Sequence, residues 1–515
     1  MSALIKSTVS VASMTLLSRV LGLARDIVIA RFFSASDAAD AFFVAFKIPN
    51  FLRRLFAEGA FSLAFVPVLS EYRSSYTAAQ TRDLIDRVAG TLGFILLLLS
   101  LLGVAASPLL ISIFAAGFID QPAKFDLTAD MLRLTFPYIL LISMTAMAGG
   151  ILNTWKRFAV PAFTPVLLNL SLIGCAMWLS PRLDVPITGL AWGVLLAGIL
   201  QLLFQLPFLY RAQLLPRPKW GWRHEGVQKI IKLMIPALFG SSVAQINLLF
   251  DTFIASFLVT GSVSWLYYSD RLLEFPLGVF GIALATVVLP NLSAAHYKEG
   301  DDSFNQTLTW AVQLSLIIAV PATFGLFILA QPILATLFEY GAFQANDSMM
   351  AAYSLMAYSL GLPAFIMIKI LANGFYARQD TRTPVRIGIQ AMVLNMALNV
   401  VLVVSMLQAN FLAPHVGLAL ATSAAAYFNA FRLARELRRD AILGPLETFS
   451  KPLLKILLAC IAMGLLIHFL LPELVSWSEW LWYQRLAQLA WMILPAILCY
   501  SLVLWIMGFR RKHLV

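Results

Sequence analysis

The chain has 515 residues, of which 60% are hydrophobic and only 12% are charged, and its formal net charge is +11. Soluble domains carry about 25% charged residues, so this composition excludes an ordinary soluble protein. Apolar stretches of about 20 residues, long enough to cross a bilayer as helices, recur along the chain with short polar gaps between them. The sequence therefore predicts an all-α polytopic membrane protein.

Apolar runs and polar breaks divide the chain into fourteen predicted transmembrane helices. The first is expected to be retained rather than cleaved as a signal peptide, because Arg19 interrupts it before any small-residue cleavage site. The predicted spans are residues 9–33, 38–70, 84–115, 127–155, 160–180, 186–211, 226–259, 266–296, 304–338, 346–377, 383–407, 413–438, 452–472 and 482–508.

Basic residues are unevenly distributed between alternate connections. One set of connections carries nearly all of the loop Lys and Arg residues, whereas the other carries only Lys124 and Arg182. This bias predicts that both termini are cytoplasmic. It also accounts for much of the net positive charge, and no soluble fold is available to present a basic cluster to nucleic acid, so no nucleic-acid partner is expected.

Two pairs of motifs recur at nearly equal offsets. The Pro-x-Leu-Ser of residues 67–70 returns at 290–293, and the Thr-Pro-Val of residues 164–166 returns at 383–385. Parallel repeats of this kind are typical of transporters with a substrate site near the bilayer midplane. They predict two parallel six-helix lobes around a central cavity, residues 1–211 and 226–438, with two extra C-terminal helices in residues 452–508.

Basic residues also occur inside the predicted spans. A central Arg or Lys costs at least about 2.5 kcal/mol on insertion scales, so each needs water, a counter-charge or a ligand. Six lie near span ends and are expected to reach the interface with their charged groups, namely Arg31, Arg87, Arg133, Lys232, Lys455 and Arg485. The others are Arg19, Arg25, Lys47, Arg53, Arg54, Arg271 and Lys369.

Span 2 places four charged residues on one stripe of a straight helix. Their separations of 7, 7 and 4 residues nearly complete whole turns, and the four are Asp40, Lys47, Arg54 and Glu58. This stripe is either a self-neutralised seam between helices or the wall of a cavity. Pro49 is expected to kink the helix and to bring Arg53 toward the same space.

Span 1 carries a similar mixture of charges. Arg19 and Asp26 share a face, whereas Arg25 points about 120 degrees away, and the arginines do not recur every third residue as they would in a voltage sensor. The pattern favours a helix that lines a cavity, with Asp26 and Asp40 holding the guanidinium groups in place.

Span 8 places Asp270, Arg271 and Glu274 within one turn. The excess positive charge of spans 1, 2 and 8 predicts an anionic ligand. A phosphate or diphosphate is the first candidate and a carboxylate the second, because guanidinium groups bind phosphate oxygens in a bidentate manner. The isolated cysteines and histidines lack the spacing of metal ligands, and the external loops lack paired carboxylates, so neither a metal cofactor nor a catalytic centre is expected.

Five segments resemble the MurJ/MviN lipid II flippase family of the MOP transporter superfamily, namely residues 18–26, 40–67, 136–158, 262–284 and 374–385. The resemblance implies a multi-pass protein of the bacterial inner membrane. It implies alternating-access transfer of the undecaprenyl-diphosphate-linked disaccharide-pentapeptide, lipid II, from the cytoplasmic to the periplasmic leaflet for peptidoglycan synthesis. It also implies that the last two helices form a groove for the polyprenyl tail.

The resemblance assigns particular residues to the site. The cavity arginines that would bind the headgroup are Arg19, Arg25, Arg53 and Arg271, with polar neighbours Ser18, Asp40, Glu58 and Ser264. The charge patterns of spans 1, 2 and 8 add five supporting side chains, namely Asp26, Lys47, Arg54, Asp270 and Glu274. The straight projection favours Arg54 where the resemblance favours Arg53, and the expected kink at Pro49 decides for Arg53.

Coupling to an energy source stays open. Some members of the family hold sodium between spans 7, 11 and 12, where Asp251 and Asn373 would serve, but Ala377 supplies no carboxylate one turn later. Coupling to sodium or to the membrane potential, and contact with the cell-wall synthesis machinery, are therefore undecided at this point.

Three rival functions remain. A flippase for another lipid-linked oligosaccharide, such as an O-antigen or capsule unit, would share the architecture and the diphosphate. A cation-coupled drug exporter would be expected to carry acidic rather than arginine-rich groups in its first lobe. A membrane glycosyltransferase or polymerase acting on the same lipid would elongate glycan chains as a purified protein.

Overall fold

The computed structural model describes residues 2–281, 284–285, 288–290, 292–293, 301–445 and 447–509, without the side chains of 2–10, 56–59, 239–244, 301 and 475. This described part is helical and contains no strand. It divides into two compact units, Met1–Val263 and Ser264–Val515.

The first unit contains ten complete helices and the start of an eleventh. They are α1 (Ser2–Phe33), α2 (Asp37–Arg53), α3 (Ser62–Ser75), α4 (Ala78–Ala105), α5 (Ser107–Phe114), α6 (Pro122–Thr135), α7 (Tyr138–Thr154), α8 (Ala159–Gly174), α9 (Thr188–Arg211), α10 (Glu225–Ala255) and the beginning of α11 (Ser262–Pro276). Short 3₁₀ turns occupy Ala116–Phe118 and Ser180–Arg182.

The second unit contains the rest of α11 and the helices that follow it in the described residues. They are α12 (Asp301–Ile328), α13 (Ala330–Phe338), α14 (Ala345–Tyr376), α15 (Arg382–Gln408), α16 (Val416–Arg439), α17 (Glu447–Leu470), α18 (Leu474–Glu479) and α19 (Trp482–Ile506). A buried apolar cluster joins α17 and α19 to α12 and includes Cys460, Met463 and Met492.

Each predicted span overlaps a helix in the described residues, but the helix ends differ by several residues, several spans contain more than one helix, and α18 lies between two spans. Nine of the described helical stretches are long and apolar enough to cross a membrane, which makes this an integral membrane protein. Three helices that carry the candidate site, α1, α2 and α11, are not among the nine. The count of fourteen stays a prediction. The first unit includes α10, whose span the motif repeat assigns to the second lobe.

Three π-helical segments interrupt the predicted spans, at Arg54–Phe61, Cys175–Leu179 and Leu277–Gly281. In a π-helix the backbone hydrogen bonds join residues five apart, and such segments occur frequently at functional sites. The starts of the first and third segments are separated by the same offset as the two Pro-x-Leu-Ser motifs. Pro49 lies inside a continuous α2, so the expected irregularity begins at Arg54 rather than at the proline.

Helices α7 and α14 end in the same local structure. Lys156 and Gln379 both have a positive φ, of 62° and 61°. The next N–H in each case donates back over the helix end, from Arg157 to the Leu152 carbonyl at 2.9 Å and from Asp380 to the Phe375 carbonyl at 3.0 Å. The same cap also ends α9, α15 and α16, so the repeat is indicated only by the offset between these two caps, which equals that between the Pro-x-Leu-Ser motifs.

The connection between α9 and α10 lies directly on α4. The Lys219 N–H donates to the Asp86 carbonyl at 3.0 Å, and the Arg217 N–H donates to Asp86 Oδ1 at 2.7 Å. Gly90 allows this approach, since a Cβ at that position would lie 2.2 Å from the Lys219 carbonyl oxygen. The connection is therefore a packed part of the first unit.

Candidate functional site

Arg25 lies in the interior of the first unit and is 6% exposed. Its Nε and Nη2 donate to Asp26 Oδ1 at 2.9 and 2.7 Å. A buried guanidinium needs such partners, because removing an ion from water costs several kcal/mol. The expectation that Asp26 holds a guanidinium is confirmed for Arg25.

Asn169 of α8 is a second partner that sequence reasoning missed. Arg25 Nη1 donates to Asn169 Oδ1 at 3.1 Å, and Asn169 Nδ2 donates to the Ser18 carbonyl at 2.9 Å. This amide therefore fixes Arg25 and the backbone of α1 at the same time. An asparagine inside an otherwise apolar predicted span was the signal that could have identified it.

Arg19 occupies a different environment on the same helix. It is exposed, and its neighbours Leu16 and Val20 are 62% and 58% exposed, whereas Ser18 is half-buried. Its guanidinium is therefore accessible to whatever occupies the space beside this face of α1.

Asp40 binds a lysine from α6, a partner that the sequence did not predict. Lys124 Nζ lies 3.2 Å from Asp40 Oδ2 and 2.8 Å from Asp37 Oδ1. The Gly261 N–H donates to Asp40 Oδ2 at 2.8 Å, and Thr260 donates to Asp37 at 2.6 Å. Helix α6 packs against α2, which brings the buried Lys124 into reach.

The remaining charged residues of span 2 lie around the change from α-helix to π-helix. Arg53 Nε donates to Asn50 Oδ1 at 2.9 Å, and Lys47 and Arg54 are half-buried. The straight projection applies up to Arg54, because α2 is regular to that point, but it does not extend to Glu58, which lies inside the π-helical segment. The side chain of Glu58 lies outside the described residues.

In the second unit, Arg271 is braced within its own helix. Its Nη1 donates to Glu274 Oε2 at 2.8 Å, and its guanidinium lies 5.0 Å from the centre of the Tyr267 ring. Asp270 is half-buried on the same turn, and Ser264 is completely buried. The expectation that a carboxylate braces Arg271 is confirmed for Glu274.

Lys369 of α14 adds a cation that the candidate set had omitted. It is half-buried in the middle of a long helix and interacts electrostatically with Glu274. The second unit therefore carries Arg271 and Lys369 near one carboxylate.

The sodium candidates lie in different units. Asp251 is half-buried in the first unit, and Asn373 in the second is 7% exposed and donates to the Ala285 carbonyl at 2.8 Å. Within the described residues, no three His, Cys, Asp or Glu side chains are grouped as metal ligands.

Helices α17 and α19 expose large apolar side chains. Leu454 and Leu465 on α17 are 60% and 54% exposed, and Leu498 and Trp505 on α19 are 69% and 68% exposed. Such surfaces are normal where helices face lipid, and they are the elements expected to receive a polyprenyl tail.

The architecture and the buried cations define an integral membrane protein with the fold of MOP-superfamily transporters. A multidrug-resistance MATE transporter of that superfamily in its inward-facing conformation matches with a TM-score of 0.67 over 84% of this chain and 98% of its own, at 14% identity, which is a likeness of fold alone. A structure described as lipid II flippase MurJ, inward closed conformation, matches with a TM-score of 0.79 at 29% identity, over 96% of this chain and 98% of that one.

The family model of lipid II flippase MurJ matches residues 29–487. Relatives described as probable lipid II flippase MurJ are 49% identical in Haemophilus influenzae, over 98% of this chain and 99% of the relative, and 49% identical in Vibrio cholerae, over 99% and 97%. The lipid II flippase MurJ of Burkholderia cenocepacia is 40% identical over 99% of this chain and 98% of its own. The chain belongs to the MurJ family.

Proposed function

We propose that the chain is a lipid II flippase of the bacterial inner membrane. Its substrate is undecaprenyl-diphosphate-linked disaccharide-pentapeptide, which it transfers from the cytoplasmic to the periplasmic leaflet for peptidoglycan synthesis. The observation that carries this proposal is the full-length likeness to relatives of that name, at up to 49% identity. Both termini lie in the cytoplasm in this proposal, as the distribution of loop Lys and Arg predicts.

The diphosphate is bound by cations held at bilayer depth. Arg19, Arg25 and Arg53 from the first unit and Arg271 from the second supply guanidinium groups, which bind phosphate oxygens in a bidentate manner. Asp26 and Glu274 support this role, because a guanidinium that is already oriented loses less conformational freedom when the ligand binds. The short distances from Arg25 to Asp26 and from Arg271 to Glu274 agree with such preorganisation.

Alternating access follows from this arrangement. The polar headgroup crosses the bilayer inside a cavity between two lobes, and the tail stays in lipid against α17 and α19. The repeated π-helical segments and helix caps support two equivalent lobes, because the same local backbone returns at one constant offset. The headgroup then never contacts hydrocarbon, where its charges would cost many kcal/mol.

The proposal also includes an energy source for transport and a protein partner. A net positive cavity that binds an anion in one orientation and returns empty in the other moves charge across the bilayer, so the membrane potential is the coupling we favour. Sodium at Asp251 or Asn373 is the alternative. The periplasmic product is the substrate of glycan polymerisation, which favours contact with the cell-wall synthesis machinery.

Complementation of a strain depleted of its own lipid II flippase tests the function. Arg25→Ala and Arg271→Ala should each abolish growth while membrane protein levels stay normal, because each removes a cation that binds the diphosphate. Arg133→Ala is the matched control, since Arg133 is an exposed arginine paired only locally with Asp130 at its own helix surface, and it should support growth.

Lipid II exposure in the same strain separates this function from its rivals. After depletion, labelled lipid II should stay in the cytoplasmic leaflet, and the wild-type chain should restore its periplasmic exposure. Growth that is unimpaired by both arginine variants, or restored export of only an O-antigen or capsule lipid, would overturn the proposal.

A further inference from the structure

The C-terminal end of α16 forms a basic cleft of about 470 Å³, lined by Arg432, Arg435, Glu436 and Arg439. These residues are spaced three or four apart, so they share one face of the helix. The volume falls within the range of small-ligand sites, about 300–1,000 Å³. With three arginines and one glutamate, the lining carries a net charge of +2. None of these residues belongs to the lipid II site proposed above.

The acidic residue of the cleft does not neutralise the arginines. Glu436 lies 3.9 Å from Arg432 and 3.9 Å from Arg386 of α15, at the outer limit of an ion pair. Within the described residues, Arg435 and Arg439 make no ion pair within 4.0 Å. Arg432 Nε is buried and has no hydrogen-bond acceptor in the described part of the chain. The cleft therefore presents donors that an anionic ligand would satisfy.

The aromatic residues of α16 indicate the depth of the cleft in the membrane. Phe431 is 63% exposed, and Tyr427, one turn earlier, is 44% exposed and donates its hydroxyl to the Leu360 carbonyl. Exposed Tyr and Phe side chains followed by arginines are typical of the boundary between acyl chains and headgroups. At 1.5 Å per residue, Arg435 lies about 6 Å beyond Phe431 along the axis. The arginines are thus placed at the level of lipid phosphates.

Topology alone does not require this arrangement. Arginines at a helix C-terminus favour the helix dipole, and loop arginines orient the chain, but neither effect requires a shared face or a cleft. Guanidinium forks on one face match the oxygens of a phosphodiester, and basic pockets on the cytoplasmic side of membrane helices bind anionic headgroups.

We propose that this cleft is a binding site for the phosphodiester headgroup of an anionic phospholipid such as phosphatidylglycerol. Arg435 and Arg439 bind the phosphate, Arg432 approaches from the membrane side, and Phe431 contacts the acyl chains. The lipid is a bound membrane component and is not transported. The site does not rest on the identity of the transported substrate.

Lipid retention by the purified full-length chain tests the site. The chain is titrated with phosphatidylglycerol or phosphatidylcholine in detergent, and bound lipid is counted by native mass spectrometry. Wild type should retain phosphatidylglycerol selectively. The R435Q/R439Q variant should bind it on the order of 30-fold more weakly, since each surface arginine contributes about fivefold. R435K/R439K should fall between the two, because lysine keeps the charge and loses the fork.

The matched control is R82Q/R211Q, which removes two exposed arginines from helix ends on the same predicted side of the membrane. It should retain phosphatidylglycerol as wild type does. Elution as a single species checks that the variants fold, and the single variant R439Q, with an expected fivefold loss, replaces any double variant that does not. Equal retention by R435Q/R439Q and wild type would overturn the site. Displacement of the lipid by equimolar glycerol phosphate would overturn its assignment to a phospholipid.

Discussion

Two arginines that are buried to a similar extent, Arg25 and Arg485, have different binding partners. Arg25 is buried against a carboxylate and an amide, whereas Arg485 is 4% exposed and donates to several backbone carbonyl oxygens. Arg485 contacts the carbonyls of Ala335, Glu339, Trp480 and Ser478 at 2.6 to 3.2 Å. It therefore joins the ends of α13, α18 and α19. The guanidinium satisfies carbonyls at these helix ends, and its position at the membrane interface stays a prediction.

Arg485→Lys should lower the apparent midpoint of thermal unfolding. An ammonium group cannot reach four carbonyls that lie around a planar guanidinium, and each buried carbonyl left without a donor costs about 1–3 kcal/mol. Intrinsic fluorescence of the purified chain during heating measures the midpoint. Arg133→Lys, at an exposed ion pair, should leave it unchanged. An unaltered midpoint for Arg485→Lys would show that the carbonyl contacts do not stabilise the fold.

The partners of single residues were predictable only when they are close in sequence. Glu274 for Arg271 follows from spacing on one helix, whereas spacing placed Asp26 beside Arg19 and the structure pairs it with Arg25. Asn169 lies 144 residues from Arg25, and Lys124 lies 84 residues from Asp40. These pairs depend on which helices pack together, and the periodicity of a single sequence does not reveal that packing.

At the scale of helices, hydropathy predicted where the elements lie but not how they are interrupted. Spans are long apolar runs, so their positions follow from composition. The change to π-helix at Arg54–Phe61 follows no proline directly and depends on backbone hydrogen bonds that residue types do not specify. The sequence favoured Arg53 over Arg54 because of the resemblance and the expected kink at Pro49. Since α2 continues through Pro49, the choice of Arg53 now rests on the resemblance alone.

Gly90→Ala should release the connection between α9 and α10. The new Cβ would lie 2.2 Å from the Lys219 carbonyl oxygen, so the backbone must move and its hydrogen bond to Asp86 must weaken. Limited proteolysis should then cut near Lys219 several times faster than in wild type. Gly93→Ala on the same helix is the control, because its Cβ would meet only Met144 Sδ at 3.8 Å. Equal cleavage rates in the two variants would exclude a close-approach role for Gly90.

Asp380 caps α15 from outside the membrane. Its Oδ1 accepts the N–H groups of Arg382 and Thr383, both at 3.0 Å. Partial burial alone would raise the pKa of Asp380, but the hydrogen bonds from Thr383 and Arg382 and the charge of Arg378 outweigh it and lower the pKa below 3.8. The carboxylate therefore stabilises the fold above its unfolded pKa, and this contribution is lost as the pH falls through the lowered folded value.

Asp380→Ala should destabilise the chain by about 1 kcal/mol at neutral pH, as for loss of an N-terminal cap. The difference from wild type should begin to shrink below about pH 3.8, where the carboxyl of the unfolded chain becomes protonated, and should be lost as the pH falls through the lower pKa of the folded state. Chemical unfolding of both proteins at several pH values measures it. A difference that is constant down to pH 2 would assign the effect to packing instead of to charge.

At the scale of the whole molecule, the repeated local geometry is more informative than the repeated sequence. The motif pairs share only a few residues, but the π-helical starts and the positive-φ caps recur at one identical offset. Membership of the MurJ family followed from long, specific segments such as residues 40–67. Contacts group α10 with the first unit, and the boundary between the two lobes stays a prediction.

Arg19→Cys tests whether α1 borders water in the membrane-embedded chain. In a background with the three native cysteines replaced by alanine, this thiol should react with a membrane-impermeant maleimide, because the proposed cavity is hydrated. Leu98→Cys is the control, since Leu98 is 50% exposed in the middle of an apolar helix and should stay unlabelled in lipid. If both thiols are equally inert, Arg19 faces acyl chains and the cavity assignment fails.

The packing of the α9–α10 connection against α4 also limits where the polypeptide can be interrupted by an insertion. Residues 212–224 resemble a hinge where a protease site, a fluorescent reporter or a split between co-expressed halves would ordinarily be inserted. Arg217 and Lys219 are hydrogen-bonded to Asp86 along that route, so an insertion there would detach the connection from α4. Fusion designs for this transporter should leave that stretch intact.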